Sequence, residues 1–209
     1  MTEEEARAWI GNDVPRGTLE CLDRLAQLIV TENERQNLIA SSTIPIMWSR
    51  HILDSVQLAW LAVDHAGVWL DIGSGGGFPG LVVAMLREAP TILVEPRAKR
   101  AVFLTEAAME LGLEERVTII QSRVQTAAMP AKARIISARA VAALPDLFGM
   151  AVGHADAETL WLLPKGRSAN DEVVEARREW QGDFRLEPSL SDSDSAIVVA
   201  RGVRRKKSG

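Results

Sequence analysis

Apolar positions along this chain change their spacing twice, and the expected elements follow from those changes. Leu19, Leu22, Leu25, Ile29 and Val30 recur at the period of one helix face, with Pro15 suited to the first turn and the polar run Glu32 to Asn37 closing the pattern. A second helical pattern, with Pro45 near its start, holds Ile46, Trp48, Ile52, Val56 and Trp60, and carries Arg50, His51 and Asp54 among its polar members. From Val68 onward short apolar runs take over. Val68 to Ile72, Thr91 to Val94, Val117 to Ile120, Ile135 to Ser137 and Thr159 to Leu163 are expected strands. Helical patterns alternate with them: the stretch after Pro79, Ala98 to Leu111 stopped by Gly112, Leu144 to Val152, and Asn170 to Trp180. Strands alternating with helices predict an α/β fold with a parallel, doubly wound sheet. Phe184 to Leu186 and Ala196 to Arg201, joined by the polar S-D-S-D-S turn, predict a terminal hairpin that adds an antiparallel strand. Residues 1–64 form a helical cap in this picture, and residues 65–209 a single Rossmann-like core.

The first strand runs into V-W-L-D-I-G-S-G-G-G-F-P-G, Val68 to Gly80, where glycines allow a tight turn or a close ligand ahead of a helix N-terminus. Gly75, Gly77 and Gly80 satisfy G-x-G-x-x-G, and Glu95 stands at the distance of a ribose-binding acid. A dinucleotide site places its first glycine directly after the strand; here Asp71 ends the strand and Pro79 precedes the last glycine. D-I-G-S-G-G-G instead resembles the first motif of S-adenosylmethionine (SAM) dependent methyltransferases of the Rossmann-like class, which implies that Asp71 helps hold the amino-acid end of SAM. An NAD(P)-dependent oxidoreductase is the alternative. Glu95, acceptor-only when ionised, can take both ribose hydroxyls, and Gln125, after the third strand, can accept from the adenine amino group.

Charge and composition narrow the partners. The chain has 209 residues, 47% of them apolar, and a net charge of −4, which argues against a protein that simply coats a polyanion. The distribution is uneven. Residues 1–64 carry ten acids against five bases, whereas Arg97 to Arg139 carries eight bases against four glutamates, so RNA is a reasonable partner for the second stretch. Candidate RNA contacts are Arg97, Lys99, Arg100, Arg123 and Lys165, together with Arg204, Arg205, Lys206 and Lys207 of a tail expected to be flexible. Cys21 alone forms no intramolecular disulfide framework and is expected as a small apolar core residue. No run suits a membrane span or signal peptide, and the expected compartment is the cytoplasm. His51, His65 and His154 lack metal-ligand spacing and are expected as surface or cap residues, with no metal site.

Absences bear on the methyl acceptor. No N-P-P-Y-type motif follows the fourth strand, where Ser137, Ala138 and Arg139 stand, and Cys21 lies far from the ligand edge. Exocyclic base amines and pyrimidine C5 are therefore disfavoured, leaving an acceptor that is already nucleophilic, such as a ring nitrogen. Arg139 is expected at the carboxyl edge of the sheet, facing ligand or, alternatively, in a structural ion pair with Asp71 or Glu95.

N-L-I at Asn37 to Ile39, R-H-I-L-D-S at Arg50 to Ser55, D-I-G-S-G-G-G-F-P-G at Asp71 to Gly80, K-R-x-x-F-L at Lys99 to Leu104, Q-S-R-V at Gln121 to Val124, S-A-R-A at Ser137 to Ala140 and P-K-G at Pro164 to Gly166 occur in that order. Together they resemble the bacterial 16S rRNA (guanine-N7) methyltransferase family RsmG, also called glucose-inhibited division protein B, over nearly the whole chain. The resemblance implies methylation of N7 of guanosine 527 in small-subunit rRNA, with 16S rRNA or the small ribosomal subunit as partner and no obligate protein partner. It implies SAM contacts at Gly73, Phe78, Val124, Gln125 and Arg139, while the general fold implies Asp71, Gly75 and Glu95. Gln125 departs from the pattern, since an acid is commoner there. A ribosome-binding protein that kept the glycine loop without catalysis is the alternative outside enzymes.

Overall fold

Thr2 and Glu5 form a reciprocal capping box that starts α1 (Glu3–Gly11), the Thr2 hydroxyl accepting from the Glu5 N–H and the Glu5 carboxylate from the Thr2 N–H. A computed structural model describes residues 1–207 of the chain. α2 (Arg16–Asn33) buries Leu22, Leu25 and Ile29 on one face, and Cys21 packs partly buried beside them. The next expected helix is broken into three pieces: a 3₁₀ turn over Ser41–Ile46, a π turn over Trp48–Ile52 and α3 (Leu53–Leu61). Pro45, inside the 3₁₀ turn, offers no N–H and so prevents one continuous α-helix. Glu3 then takes up the freed donors, its carboxylate accepting from Trp48 N at 2.8 Å and Ser49 N at 2.7 Å.

Seven strands follow: β1 (Trp69–Ile72), β2 (Thr91–Val94), β3 (Val117–Ile120), β4 (Ile135–Ala138), β5 (Leu160–Lys165), β6 (Trp180–Pro188) and β7 (Ala196–Arg205). Their spatial order is β3-β2-β1-β4-β5-β7-β6, parallel from β3 through β5, with β7 antiparallel to both β5 and β6. This is the Rossmann-like methyltransferase sheet, with its antiparallel C-terminal strand. Helices α4 (Gly80–Leu86), α5 (Ala98–Glu110), α6 (Leu144–Ala151) and α7 (Ala169–Glu179) make the connections, and Gly112 ends α5 at φ +65. β1, β2 and β4 are buried along their whole length, as strands covered on both faces require. One apolar cluster joins Ile10, Leu22 and Ile52 to Leu81, Phe103 and Leu104, so residues 1–64 share a continuous core with α4 and α5.

In-register pairing sets Ile72, Val94, Ile120 and Ala138 level at the carboxyl edge of the sheet. Two expectations about the C-terminal region change. Trp180 opens β6 instead of ending a helix, and Arg204 and Arg205 belong to β7 instead of a loose tail. Because β7 runs antiparallel, Ala196 lies opposite Lys165 at the carboxyl edge, while Arg205 lies nine residues further on, about 30 Å along an extended strand. Ser208 and Gly209, the last residues of that tail, fall outside the described residues. Among the described residues no helix is long and apolar enough to cross a membrane.

Candidate functional site

The glycine loop is held from beneath by Asp71. Its carboxylate is fully buried; one oxygen accepts from the Ser137 hydroxyl at 2.7 Å and the other from Gly80 N at 3.2 Å, while Trp69 Nε1 donates to Ser137 at 2.7 Å. Burial pushes the Asp71 carboxyl up to about 6, against the hydrogen bonds from Ser137, Ser74 and Gly80. Direct contact between this side chain and a cofactor, expected from the sequence, is thus replaced by an indirect part: Asp71 fixes where the loop ends and α4 begins. Gly73 and Gly75 have φ values of +66 and +54, in the left-handed region that penalises a Cβ. At Gly73 a Cβ would also lie 2.7 Å from Val141 Cγ2; at Gly75 the nearest atoms are 3.7 Å away, so that position is restricted by conformation and open in space.

Glu95 follows β2 and is buried, with Oε2 accepting from Gly75 N and Oε1 from Arg97 N, each at 2.9 Å. A carboxylate offers about four acceptor positions, so each oxygen retains one for a ribose hydroxyl. Beyond β3, Val124 to Thr126 form a 3₁₀ turn with Val124 buried and Gln125 exposed. The N–H groups that open such a turn have no partner within it. His154 donates from Nε2 to the Val124 carbonyl at 2.6 Å and so pins the turn, a part that its place in the sequence did not suggest. Glycine loop, ribose acid and 3₁₀ turn fit the three ends of SAM.

Arg139 leaves β4 at the carboxyl edge, and Ala140 after it is the one non-glycine residue with positive φ among the described residues, at +55. Such a conformation costs an alanine roughly 1–3 kcal/mol and occurs where a site requires it. Neither expected ion pair forms. The guanidinium donates from Nη1 to His51 Nδ1 at 2.5 Å and lies 5.4 Å from the Phe78 ring centroid, while His51 stacks on Phe78 at 5.2 Å. Arginine only donates, so Nδ1 accepts and Nε2–H donates to Thr43 Oγ1 at 2.8 Å, which sets the histidine tautomer. Burial, then Arg139 and Arg50, lower the His51 imidazole to about 3, and burial lowers Arg139 to about 10, so at neutral pH the first is neutral and the second charged. His51 is therefore a buried support for Arg139 and not a surface residue.

Arg50 and Asp54 of R-H-I-L-D-S face the hairpin turn, while Ser55 donates to the His51 carbonyl at 2.7 Å. Asp54 accepts from Ser189 Oγ at 3.0 Å and from Arg50 at 3.5 Å, Arg50 donates to Ser191 Oγ at 3.1 Å, and Gln57 bonds the backbone at Pro188 and Leu190. Between this latch and the Arg139 to Ala143 loop lies a cavity of about 460 Å³, lined also by Lys165, Glu172 and Ser195. Lys165 is committed to Glu172 at 2.8 Å and the Ala142 carbonyl at 2.6 Å, so the expected free RNA contact becomes a tie between the cavity loop and α7. Arg97, Lys99 and Arg123 are exposed at the carboxyl edge. Arg100 lies over the glycine loop and donates to the Asn37 carbonyl at 2.6 Å. Arg204, Arg205, Lys206 and Lys207 are exposed beyond the opposite edge, with Arg204 bonded to Gln181 and Arg205 near Glu179.

Fold and loop together define a SAM-dependent methyltransferase of the Rossmann-like class. The fold is shared with the glycopeptide N-methyltransferase MtfA in complex with SAM (TM-score 0.60, 13% identity, 72% of this chain and 93% of that one). It is shared too with the O-methyltransferase TomG from Streptomyces achromogenes in complex with SAM (TM-score 0.59, 14% identity, 87% and 89%). The family model described as rRNA small subunit methyltransferase G matches residues 18–196. Proteins named ribosomal RNA small subunit methyltransferase G from Rhizorhabdus wittichii and Zymomonas mobilis are 47% and 44% identical, over 100% and 99% of this chain and 97% of each relative. The chain belongs to the rRNA small subunit methyltransferase G family, which sets aside the oxidoreductase reading of the glycine loop.

Proposed function

We propose that this chain transfers a methyl group from SAM to N7 of guanosine 527 in 16S rRNA, offered as free RNA or within the small ribosomal subunit in the cytoplasm. The observation that carries this reading is the cavity beside the glycine loop: Val141, in its wall, touches Gly73, and Arg139 stands at the junction. A base in the cavity would meet a cofactor on the loop. Gly73 and Gly75 let the backbone pass close to SAM, Glu95 takes the ribose hydroxyls, and the Val124 and Gln125 N–H groups meet the adenine edge. When bound, SAM supplies a methyl group on a sulfonium; the methyl–sulfur bond breaks as the carbon–N7 bond forms, leaving a neutral thioether and a cationic purine. N7 has a lone pair and no proton to lose, so the site requires no general base. Its task is positioning and charge placement. Arg139, held by His51 and Phe78, orients the acceptor or the cofactor at the point where the two meet.

The test is methyl transfer from labelled SAM to small subunits, and to their naked RNA, from cells lacking the enzyme. Nucleoside analysis should yield 7-methylguanosine at that one position. Label on an exocyclic amine or on protein, or tight RNA binding with no transfer at all, would overturn the reading.

A further inference from the structure

We infer that the 460 Å³ cavity receives the extruded guanine base and that Asp54 reads its Watson–Crick edge, accepting from N1–H and the 2-amino group. This rests on the guanine-N7 reading above. In guanine the O6 acceptor neighbours N7, while the N1–H and 2-amino donors lie on the other side of the six-membered ring; adenine instead has a donor beside N7 and a bare acceptor at N1. A pocket that brings guanine N7 to the cofactor therefore needs a donor near the glycine loop and an acceptor farther from it. The cavity is lined by one of each. Arg139, a pure donor, is held by His51 and by Phe78 of the glycine loop; Asp54, one helical turn beyond His51, accepts from Ser189 of the hairpin turn.

Two acids line the cavity, and they differ in what is left to them. Glu172 is engaged by Lys165, the Ser168 hydroxyl and Leu144 N. Asp54 takes one hydroxyl at 3.0 Å and a guanidinium at the long limit of 3.5 Å, which leaves acceptor capacity on both oxygens. A carboxylate lining a pocket for a polyanion repels phosphate and is favourable only where it meets donors. It also acts on the rate. Positive charge spreads over the purine as N7 is alkylated and makes N1–H a stronger donor, so the bond to Asp54 tightens toward the transition state.

The test compares wild type with Asp54→Asn on 16S rRNA assembled from ligated fragments carrying guanosine or inosine, which lacks the 2-amino group, at the target. Asp54→Asn should keep wild-type SAM affinity while its single-turnover rate on guanosine falls by about 10- to 100-fold, the range of a charged hydrogen bond. Wild type should lose a similar factor on inosine, and the variant should lose little more, because both changes remove one contact. Ser189→Ala, which breaks the latch but spares the carboxylate, should keep the preference for guanosine. Equal rates on guanosine and inosine in wild type, or losses that multiply in the variant, overturn the proposal. So does a loss in Asp54→Asn that Ser189→Ala reproduces with the preference abolished, which would reduce Asp54 to a strut. Lack of any 7-methylguanosine with wild type would overturn the function itself.

Discussion

Arg139 shows how one residue acquires its behaviour from neighbours distant in sequence. Its charge is favoured by the nearby carboxylates of Asp54 and Asp71, and a neutral imidazole and an aromatic face hold the guanidinium in place. Arg139→Lys should lower turnover by at least tenfold, since an ammonium cannot donate to His51 and a ligand with the same planar fork; steady-state kinetics at saturating SAM would show it, and undiminished turnover would contradict a role at the ligand. His51 adds a pH dependence. Its folded value of about 3 lies below the ordinary 6.5, so its contribution to stability is complete above pH 6.5 and is lost as pH falls from there toward 3. At pH 5 that loss is about 2 kcal/mol. Melting curves should fall more steeply between pH 7 and 5 for wild type than for His51→Gln; parallel curves would contradict this. Glu95→Ala should weaken SAM by about 1–3 kcal/mol in titration calorimetry, and a deoxyribose analogue should bind wild type with a comparable loss. The glycine loop and the place of Glu95 after β2 were legible in the sequence because each depends on local spacing. Burial of His51 was not, since it depends on Phe78 stacking on it from 27 positions away.

At the scale of elements, the short strands matched their expected bounds to within about two residues, because continuous apolar runs can satisfy only a sheet covered on both faces. The cap was harder to read. α1 was not picked out, although T-E-E-E at Thr2 to Glu5 is a capping-box signature, and the break at Pro45 depends on a carboxylate from α1. Glu3→Ala should leave the Trp48 and Ser49 N–H groups without their acceptor and cost about 1–3 kcal/mol. Urea denaturation should show a lower midpoint at unchanged slope; an unchanged midpoint would mean that water replaces the carboxylate. Lys165 escaped for a similar reason. Its partner Glu172 comes from the next helix, and a lysine after a strand gives no sign of whether it ends in solvent or in an ion pair.

Over the whole molecule, charge is sorted by edge. Exposed Arg97, Lys99 and Arg123 stand at the carboxyl edge, about 30 Å along the strands from the cluster at Arg204 to Lys207. On the proposal that RNA bound for methylation meets the first group, Arg97→Glu with Lys99→Glu should lessen the decline of RNA affinity with rising salt. Filter binding across a salt series would measure it. The same series with Lys206→Glu and Lys207→Glu should follow wild type, and a reduced slope there would mean that RNA also reaches the far edge.

β7 is the last strand in the chain, yet it lies inside the sheet, between β5 and β6. Until residues 196–205 have been synthesised, β5 has a bare edge, β6 has nothing to pair with, and the turn that latches Arg50, Asp54 and Gln57 cannot close. The glycine loop and Glu95 precede that strand in the chain, whereas the cavity wall at Asp54, Ser189 and Ile197 is complete only once the strand has inserted, so the last residues made are the ones that close the pocket.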